Sequence, residues 1–318
     1  MKRSKKEVKK SLWSRIKQYR IAYYFIAPTI LAMIFLHISP ILQGIYMSFL
    51  DLNQMTLRNY LLAPFVWFDN YYKVLIDPNS PIRIGLFEAV RNTFIYTVVV
   101  TIGTLAVGMV VALMLHRKFF GRSLVRTLFL FPWIVPTYVT GLLWGIMWLK
   151  SGGLVNVMLV DWLHILPSKP SWLSGPNTMW AIIIPTIWRY WPLSMLMLLA
   201  GLQTIPDELY EAADIDGAGP WTKFWMITWP MLRPVWFILI LFGLIYNTYS
   251  FNIVIMMFGF GAGFPGEWGD LMMTNIFRNS FQLWNFGTGA AASVLLLIVM
   301  VCIVNVWFKY FKQAEEMR

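Results

Sequence analysis

The chain has 318 residues, 58% of them hydrophobic and 13% charged, with one cysteine, three histidines and a formal net charge of +11. Soluble domains carry about 45–50% apolar and about 25% charged residues, so this balance excludes a disordered chain and argues against one soluble globule. A single cysteine excludes an intrachain disulfide framework or a Cys-based zinc cluster, and a basic excess on so apolar a chain points to loops facing anionic membrane lipid rather than to nucleic acid.

Residues 1–20 form a basic tail with nine Lys and Arg, too charged for a cleaved signal peptide and suited to anchoring on anionic lipid. Beyond it, six stretches stay free, or nearly free, of Asp, Glu, Lys and Arg over the roughly 20 residues a helix needs to cross the hydrocarbon layer. They predict transmembrane helices near 22–49, 92–115, 125–149, 178–202, 232–257 and 288–311, the fourth interrupted once, by Arg189. An even number of spans puts both ends on one side. The tail, 116–126, 201–233 and the C-terminus hold 18 Lys and Arg against 7 in the other three loops, which places both termini in the cytoplasm. The expected organisation is a tail 1–20, one membrane domain 21–311 and a cytoplasmic end 312–318.

Within the spans, polar residues are sparse and placed unevenly. The third carries Trp133, Thr137 and Tyr138 around Pro132 and Pro136, followed by Gly141 and Gly145 as a small-residue packing pair. In the fourth, Arg189 lies about 16 Å deep at 1.5 Å per residue, close to the midplane, where a charge costs about 2.5–3.5 kcal/mol on insertion scales. It either lines a solute path or snorkels to the interface among Trp188, Tyr190 and Trp191. The fifth span holds Asn247, Thr248, Tyr249, Ser250 and Asn252, too dense a polar cluster for a lipid face.

Absences narrow the function. No GxxxxGK[ST] loop occurs, so the chain has no Walker A site of its own. Gly261 to Gly266 fits GxGxxG by letter but sits in an outer loop with no strand before it, and reads as a flexible turn. All 15 carboxylates lie outside the spans or at their edges, whereas an ion-coupled carrier needs an ionisable group inside the membrane. A self-sufficient carrier or channel is thereby disfavoured. A partner-driven permease and a membrane scaffold that recruits a soluble protein both remain open.

The loop between the fourth and fifth spans breaks the cytoplasmic pattern, with five acids against two bases in 201–233. Asp207 after Pro206 is an expected helix N-cap, and Leu209, Ala212 and Ala213 share one face. Gly217 and Gly219 permit a reversal, Pro220 suits the first turn of a second helix, and Trp221 to Trp229 runs back to the bilayer. The expectation is a short helix–turn–helix outside the membrane.

Glu211-Ala212-Ala213, three residues, Gly217, nine residues, Ile227, one residue, Trp229 and Pro230 resemble the EAA loop of binding-protein-dependent ABC importer permeases, EAA-x3-G-x9-I-x-L-P, with Trp229 in place of Leu. FDNYYKVL (68–75), RSLVRTLFLFPWIVP (122–136), AGLQTIP (200–206) and FGTGAAASVLLLI (286–298) extend the likeness to the maltose and multiple-sugar branch, and the outer loop before the last span is similar to that of the first permease of such pairs. The resemblance implies an all-α membrane protein of the type I importer fold, six transmembrane helices with a cytoplasmic coupling loop at 206–230. It implies no catalysis or cofactor in this chain. ATP and Mg would be bound by a partner ATPase dimer, beside a second permease subunit and an extracytoplasmic solute-binding protein. Glu211, Ala212, Ala213, Asp214, Gly217, Ile227 and Pro230 would couple to the ATPase. Trp133, Thr137, Thr186, Tyr190 and Asn252 would line the path of a sugar; Arg189 and Tyr249 join them on their polarity within the spans, and the charge of Arg189 would favour an acidic solute, a uronate-containing oligosaccharide or a phosphorylated polyol.

Overall fold

The computed structural model describes residues 18–259 and 263–316, the last five of these by backbone alone. Most of the basic tail and part of the GxGxxG string lie outside the described residues. Among the described residues the architecture is helical throughout, the one strand-like pairing being a bridge between Leu50 and Phe65.

The first span, α1 (Arg20–Met47), has none of its apolar window buried against the rest of the chain. It contains a π-helical turn at Ile34–Ile38, just before Pro40. A proline ring clashes with the carbonyl four residues earlier, here that of Leu36, and one extra residue in the turn absorbs the conflict. The outer end of α1 is sewn to a short outer helix, α2 (Asp69–Leu75): Asn70 Nδ2 donates to the carbonyls of Ser48 at 2.9 Å and Leu50 at 2.8 Å.

The central element is α3 (Leu86–His116), whose buried positions include Ala89, Asn92, Thr93, Tyr96, Val100 and Leu105. It crosses the fourth span so closely that a Cβ on Gly108 would lie 2.9 Å from the Met195 backbone nitrogen. Helices in lipid gain little from apolar burial against one another, so such backbone approach at small residues is what holds them.

The third predicted span is two helices, α4 (Arg122–Ile134) and α5 (Thr137–Met147), bent by 86° at Val135–Pro136. Pro136 lacks the N–H that a continuous helix requires, and it pushes Val135 into an extended conformation (ψ 128°). The fourth span, α6 (Thr178–Leu202), is continuous despite Pro185 and Pro192. Beyond it come α7 (Asp207–Ile215), α8 (Pro220–Met231) and α9 (Arg233–Thr248), α8 and α9 being bent by 69° at Leu232. A π-helical turn at Phe224–Thr228 again precedes a proline, Pro230. Three residues separate α9 from α10 (Asn252–Met257), so the fifth predicted span, 232–257, is also broken. The outer helix α11 (Met272–Phe277) precedes the last span, α12 (Phe286–Glu316).

Of the six expected spans, four are single helices, and the third and fifth are each made from two pieces. The second begins at Leu86 rather than 92, carrying Glu88 and Arg91 into the helix. Gly141 and Gly145 pack as expected: a Cβ at either would lie within 3 Å of a carbonyl oxygen of α10, that of Ile253 or Met257. Two details of the 206–230 loop differ. Pro206, not Asp207, holds the N-cap position, and no side chain caps this helix; Asp207 and Glu208 instead place negative charge in its first turn. Gly219 sits at φ −70°, open to any residue, so the reversal depends on Gly217 alone, at φ +74°.

Candidate functional site

Two regions carry the polar chemistry. One lies inside the bundle where α3, α4, α6 and α9 meet, and the other is the α7–α8 hairpin.

Breaking a span inside a membrane strands main-chain groups that have no helical partner and no water. The end of α4 strands carbonyls in this way, and Arg189 of α6 meets them. Its Nη1 donates to Pro132 O at 3.2 Å, to Trp133 O at 3.0 Å and to Val135 O. The guanidinium carbon lies 5.4 Å from the centre of the Tyr190 ring. Arg189 is buried, with 9% of its surface accessible, so it does not snorkel to an interface. Arg189 Nε makes no hydrogen bond. The cation is thus met by carbonyl dipoles and a ring face, and none of the four ion pairs among the described residues includes it.

One helical turn away, Thr186 is fully buried; its hydroxyl donates to Ile182 O at 2.8 Å and lies 2.8 Å from Tyr96 OH. Tyr96 OH in turn lies 2.9 Å from Ser250 Oγ in the gap between α9 and α10. The seam continues along α3 and α9: Asn247 Nδ2 donates to Thr101 Oγ1 at 3.0 Å, and the Thr97 and Thr248 hydroxyls are 3.4 Å apart. Tyr96, Thr97 and Thr101 went unnoticed in the sequence. The signal for the two threonines is a stripe, Thr93, Thr97, Thr101 and Thr104, spaced by three and four along one face of a largely apolar helix.

The remaining expected path residues do not gather at one point. Trp133 and Asn252 are exposed, Thr137 half-buried at the start of α5, and Tyr190 half-buried beside Arg189. Tyr249 packs instead against the cluster of Val74, Ala89 and Ile276 beneath the outer loops. Asn252 opens α10, whose Ile253, Val254 and Ile255 are buried.

In the hairpin, Gly217 makes the turn, its N–H bonded to Asp214 O at 3.0 Å and that of Ala218 to Ala213 O at 2.8 Å. Lys223 Nζ closes the two arms on the Asp214 carboxylate, and Tyr210 OH lies 2.9 Å from Thr228 Oγ1. Tyr210, Phe224 and Ile227 face inward against the core of Leu202, Ile205 and Leu232, while Pro230 is half-buried. Glu211 and Ala212 are exposed, Ala213 half-buried. Asp214 is therefore paired within the hairpin, and Glu211 is exposed on its surface together with Asp207, Glu208 and Asp216. A ladder of rings joins this hairpin to the membrane: Trp221–Trp225 at 5.8 Å, Trp225–Trp229 at 5.3 Å and Trp229–Trp236 at 4.5 Å.

Comparison with known proteins places these features in context. Residues 104–316 match the family described as binding-protein-dependent transport system inner membrane component. The chain is 31% identical over 304 residues to the trehalose/maltose transport system permease protein MalF of Thermococcus litoralis, covering 94% of this chain and 97% of that one. It is 30% identical over 305 residues to the sulfoquinovosyl glycerol transport system permease protein SmoG of Agrobacterium fabrum, covering 95% and 94%. In fold it is similar to a chain of a bacterial ABC transporter involved in the import of the acidic polysaccharide alginate, with a TM-score of 0.73 at 22% identity over 95% of this chain and 98% of that one.

Proposed function

The chain belongs to the family of binding-protein-dependent transport system inner membrane components, and from that membership we propose that its α7–α8 hairpin docks a cytoplasmic ATPase while the seam around Arg189 lines the path of the solute. It is a transmembrane permease subunit of a carbohydrate-uptake ABC importer and not an enzyme; ATP hydrolysis belongs to a partner. The partners are a second permease subunit, an ATPase dimer that holds ATP and Mg, and an extracytoplasmic solute-binding protein. Both termini face the cytoplasm, a reading supported by the 18 to 7 distribution of Lys and Arg.

The observation that carries the docking assignment is the outer surface of the hairpin. Its own fold is provided for by Gly217, by the Asp214–Lys223 pair and by the Tyr210–Thr228 contact. Exposed outside are the acids Asp207, Glu208, Glu211 and Asp216 with Ala212, together with the apolar Ile215, Trp221 and Met226, these three each more than 70% exposed. An acid beside a bare apolar patch suits a cleft that offers a basic group, such as a soluble partner presents. A compact hairpin held this way moves as a rigid lever, and the tryptophan ladder connects it to α9.

Arg189 supports an acidic sugar as the solute. Carbonyl dipoles occupy its Nη1 without cancelling its charge and leave Nε unpaired, so a passing carboxylate gains from the field that remains. The alginate importer whose fold this chain shares moves an acidic polysaccharide. The test is ATPase activity of the complex purified through this chain, in nanodiscs, with the cognate binding protein and a panel of neutral and uronate oligosaccharides. Stimulation by uronates alone is expected. Stimulation by neutral sugars alone removes Arg189 from solute selection, and failure of any ATPase to co-purify overturns the docking assignment.

A further inference from the structure

At the end of the bundle that carries the hairpin, the last turn of α3 and the start of α4 border a groove of about 640 Å³. Shared packing fixes its place. Leu115 of α3 joins Leu202, Ile205 and Leu232 in one apolar core, and Val125 and Phe129 of α4 lie against that core together with Tyr210 and Ile227 of the hairpin. No residue of the Arg189 seam or of the hairpin lines the groove itself.

The lining combines two chemistries. Its walls are apolar, with Leu113, Phe119, Val125 and Phe129 among them, and its polar side chains are two cations, Arg117 and Lys118; no carboxylate, amide or hydroxyl lines it. None of the four ion pairs among the described residues involves Arg117 or Lys118, or Arg122 and Arg126 further along. Between Glu88 and Asp161 the sequence has no Asp or Glu at all. The acids of the hairpin stand at the same end, and the one of them that is paired, Asp214, is paired with Lys223.

Beside these cations the chain exposes what a soluble surface hides. Phe120, in the turn between α3 and α4, is fully exposed. On α4, Leu124 and Leu128 are both more than 60% exposed, and they lie on the face opposite Arg122 and Arg126, two positions and so about 200° round the helix. Cations interleaved with exposed aromatic and aliphatic side chains, at the end of a helix long enough to cross the bilayer, mark a segment that lies in an anionic membrane interface. An acidic protein surface answers the charges but not the apolar walls. A lipid with a phosphate head and hydrocarbon chains answers both.

We propose that this groove holds an anionic phospholipid of the cytoplasmic leaflet, its phosphate on Arg117 and Lys118 and one acyl chain against Leu113, Val125 and Phe129. The leaflet follows from the orientation argued above; the site itself does not depend on the importer reading. Because Val125 and Phe129 also pack on the core beneath Tyr210 and Ile227, a seated chain braces the base on which the hairpin rests.

The test places the protein, purified in its native assembly, in nanodiscs doped with a phospholipid whose acyl chain carries a photoactivatable group, under either a phosphatidylglycerol or a phosphatidylcholine head. Labelled peptides are identified by mass spectrometry. Phosphatidylglycerol is expected to label residues 113–129 at least fivefold more than phosphatidylcholine does. Arg117→Gln combined with Lys118→Gln is expected to remove that preference while labelling of the other spans stays as it was, and Arg117→Lys with Lys118→Arg to retain it. Arg117 and Lys118 are both exposed, so these changes leave folding intact. Equal labelling by the two lipids, or a preference that survives the double glutamine substitution, overturns the proposal. A preference abolished by glycerophosphoglycerol, the same head without chains, overturns it in favour of a free phosphate site. Absence of lipid label from 113–129 also overturns it, and a Phe120→Cys cross-link to another subunit then identifies a protein as the occupant.

Discussion

Arg189 donates through Nη1 to the main-chain oxygen of Trp133 at 3.0 Å, so a side chain in the middle of α6 closes the free end of α4. The bond gives the bend at Pro136 a partner in another helix. A charge that looks like a cost of insertion is, in the folded bundle, the donor that a broken span needs.

Replacing it separates the two roles. Arg189→Ala leaves the Pro132, Trp133 and Val135 carbonyls without this donor, each unsatisfied group costing about 1–3 kcal/mol. The expected outcome is a lowered Tm of the detergent-solubilised complex together with loss of uptake for every sugar. Arg189→Lys keeps the charge but not the fork, and is expected to recover part of the Tm. An unchanged Tm in Arg189→Ala, with only acidic sugars lost, assigns the residue to the solute alone.

At Gly217 the backbone occupies the left-handed region, where a side chain costs about 1–2 kcal/mol. Gly217→Asp and Glu211→Lys are expected to abolish uptake while membrane insertion, measured by protease protection of the outer loops, stays intact. Uptake at normal levels in Gly217→Asp would show that the hairpin does not couple.

Tyr96→Phe removes one hydroxyl that lies within 2.9 Å of both Thr186 and Ser250. Thr186 keeps its bond to Ile182 O, so the helix itself loses nothing. The expected effect is a modest fall in Tm, worth about 1 kcal/mol for one lost hydrogen-bonding group, and a larger fall in transport, since Ser250 borders the break between α9 and α10. Transport that falls only in proportion to Tm assigns the seam to packing.

Asp270 gives the outer loop a pH dependence. Burial raises its pKa, against the opposing pull of Arg278 at 2.9 Å and of hydrogen bonds from Thr274 and Asn275. With the folded value above the unfolded one, folding takes up a proton. The stability this contributes is complete below the unfolded pKa and is lost as pH rises through the folded one. Amides of α11, corrected for intrinsic exchange, are expected to gain hydrogen-exchange protection from about pH 7 to about pH 4.5, and Asp270→Asn to flatten that slope. Protection that instead falls on acidification in the wild type would contradict the sign.

What the sequence made legible was whatever local spacing encodes. The spans follow from hydropathy, and the hairpin from Glu211, Gly217 and Pro220 lying within ten residues of one another. Arg189 was visible as an anomaly, but its partners were not, because they are main-chain carbonyls that every sequence possesses. Pro132 and Pro136 announced a disturbance without saying that the helix would turn through 86°. Tyr96 was hidden for a different reason: a single tyrosine in an apolar run carries no period, and its meaning comes from Thr186 and Ser250, 90 and 154 residues away. The N-cap at Asp207 failed because the geometry, not the residue type, decides which position leads the helix.

The short helix α10 divides its labour residue by residue. Asn252 stands exposed at its start, while Ile253 and Val254 behind it are buried, the first with its carbonyl pressed toward Gly141. On the proposed solute path, the position that would meet cargo and the positions that keep the bundle shut are thus different letters in the same turn. Substitutions at the first kind leave the second untouched, so a lineage can exchange one nutrient for another by drift at a few exposed sites, without passing through a form that fails to assemble.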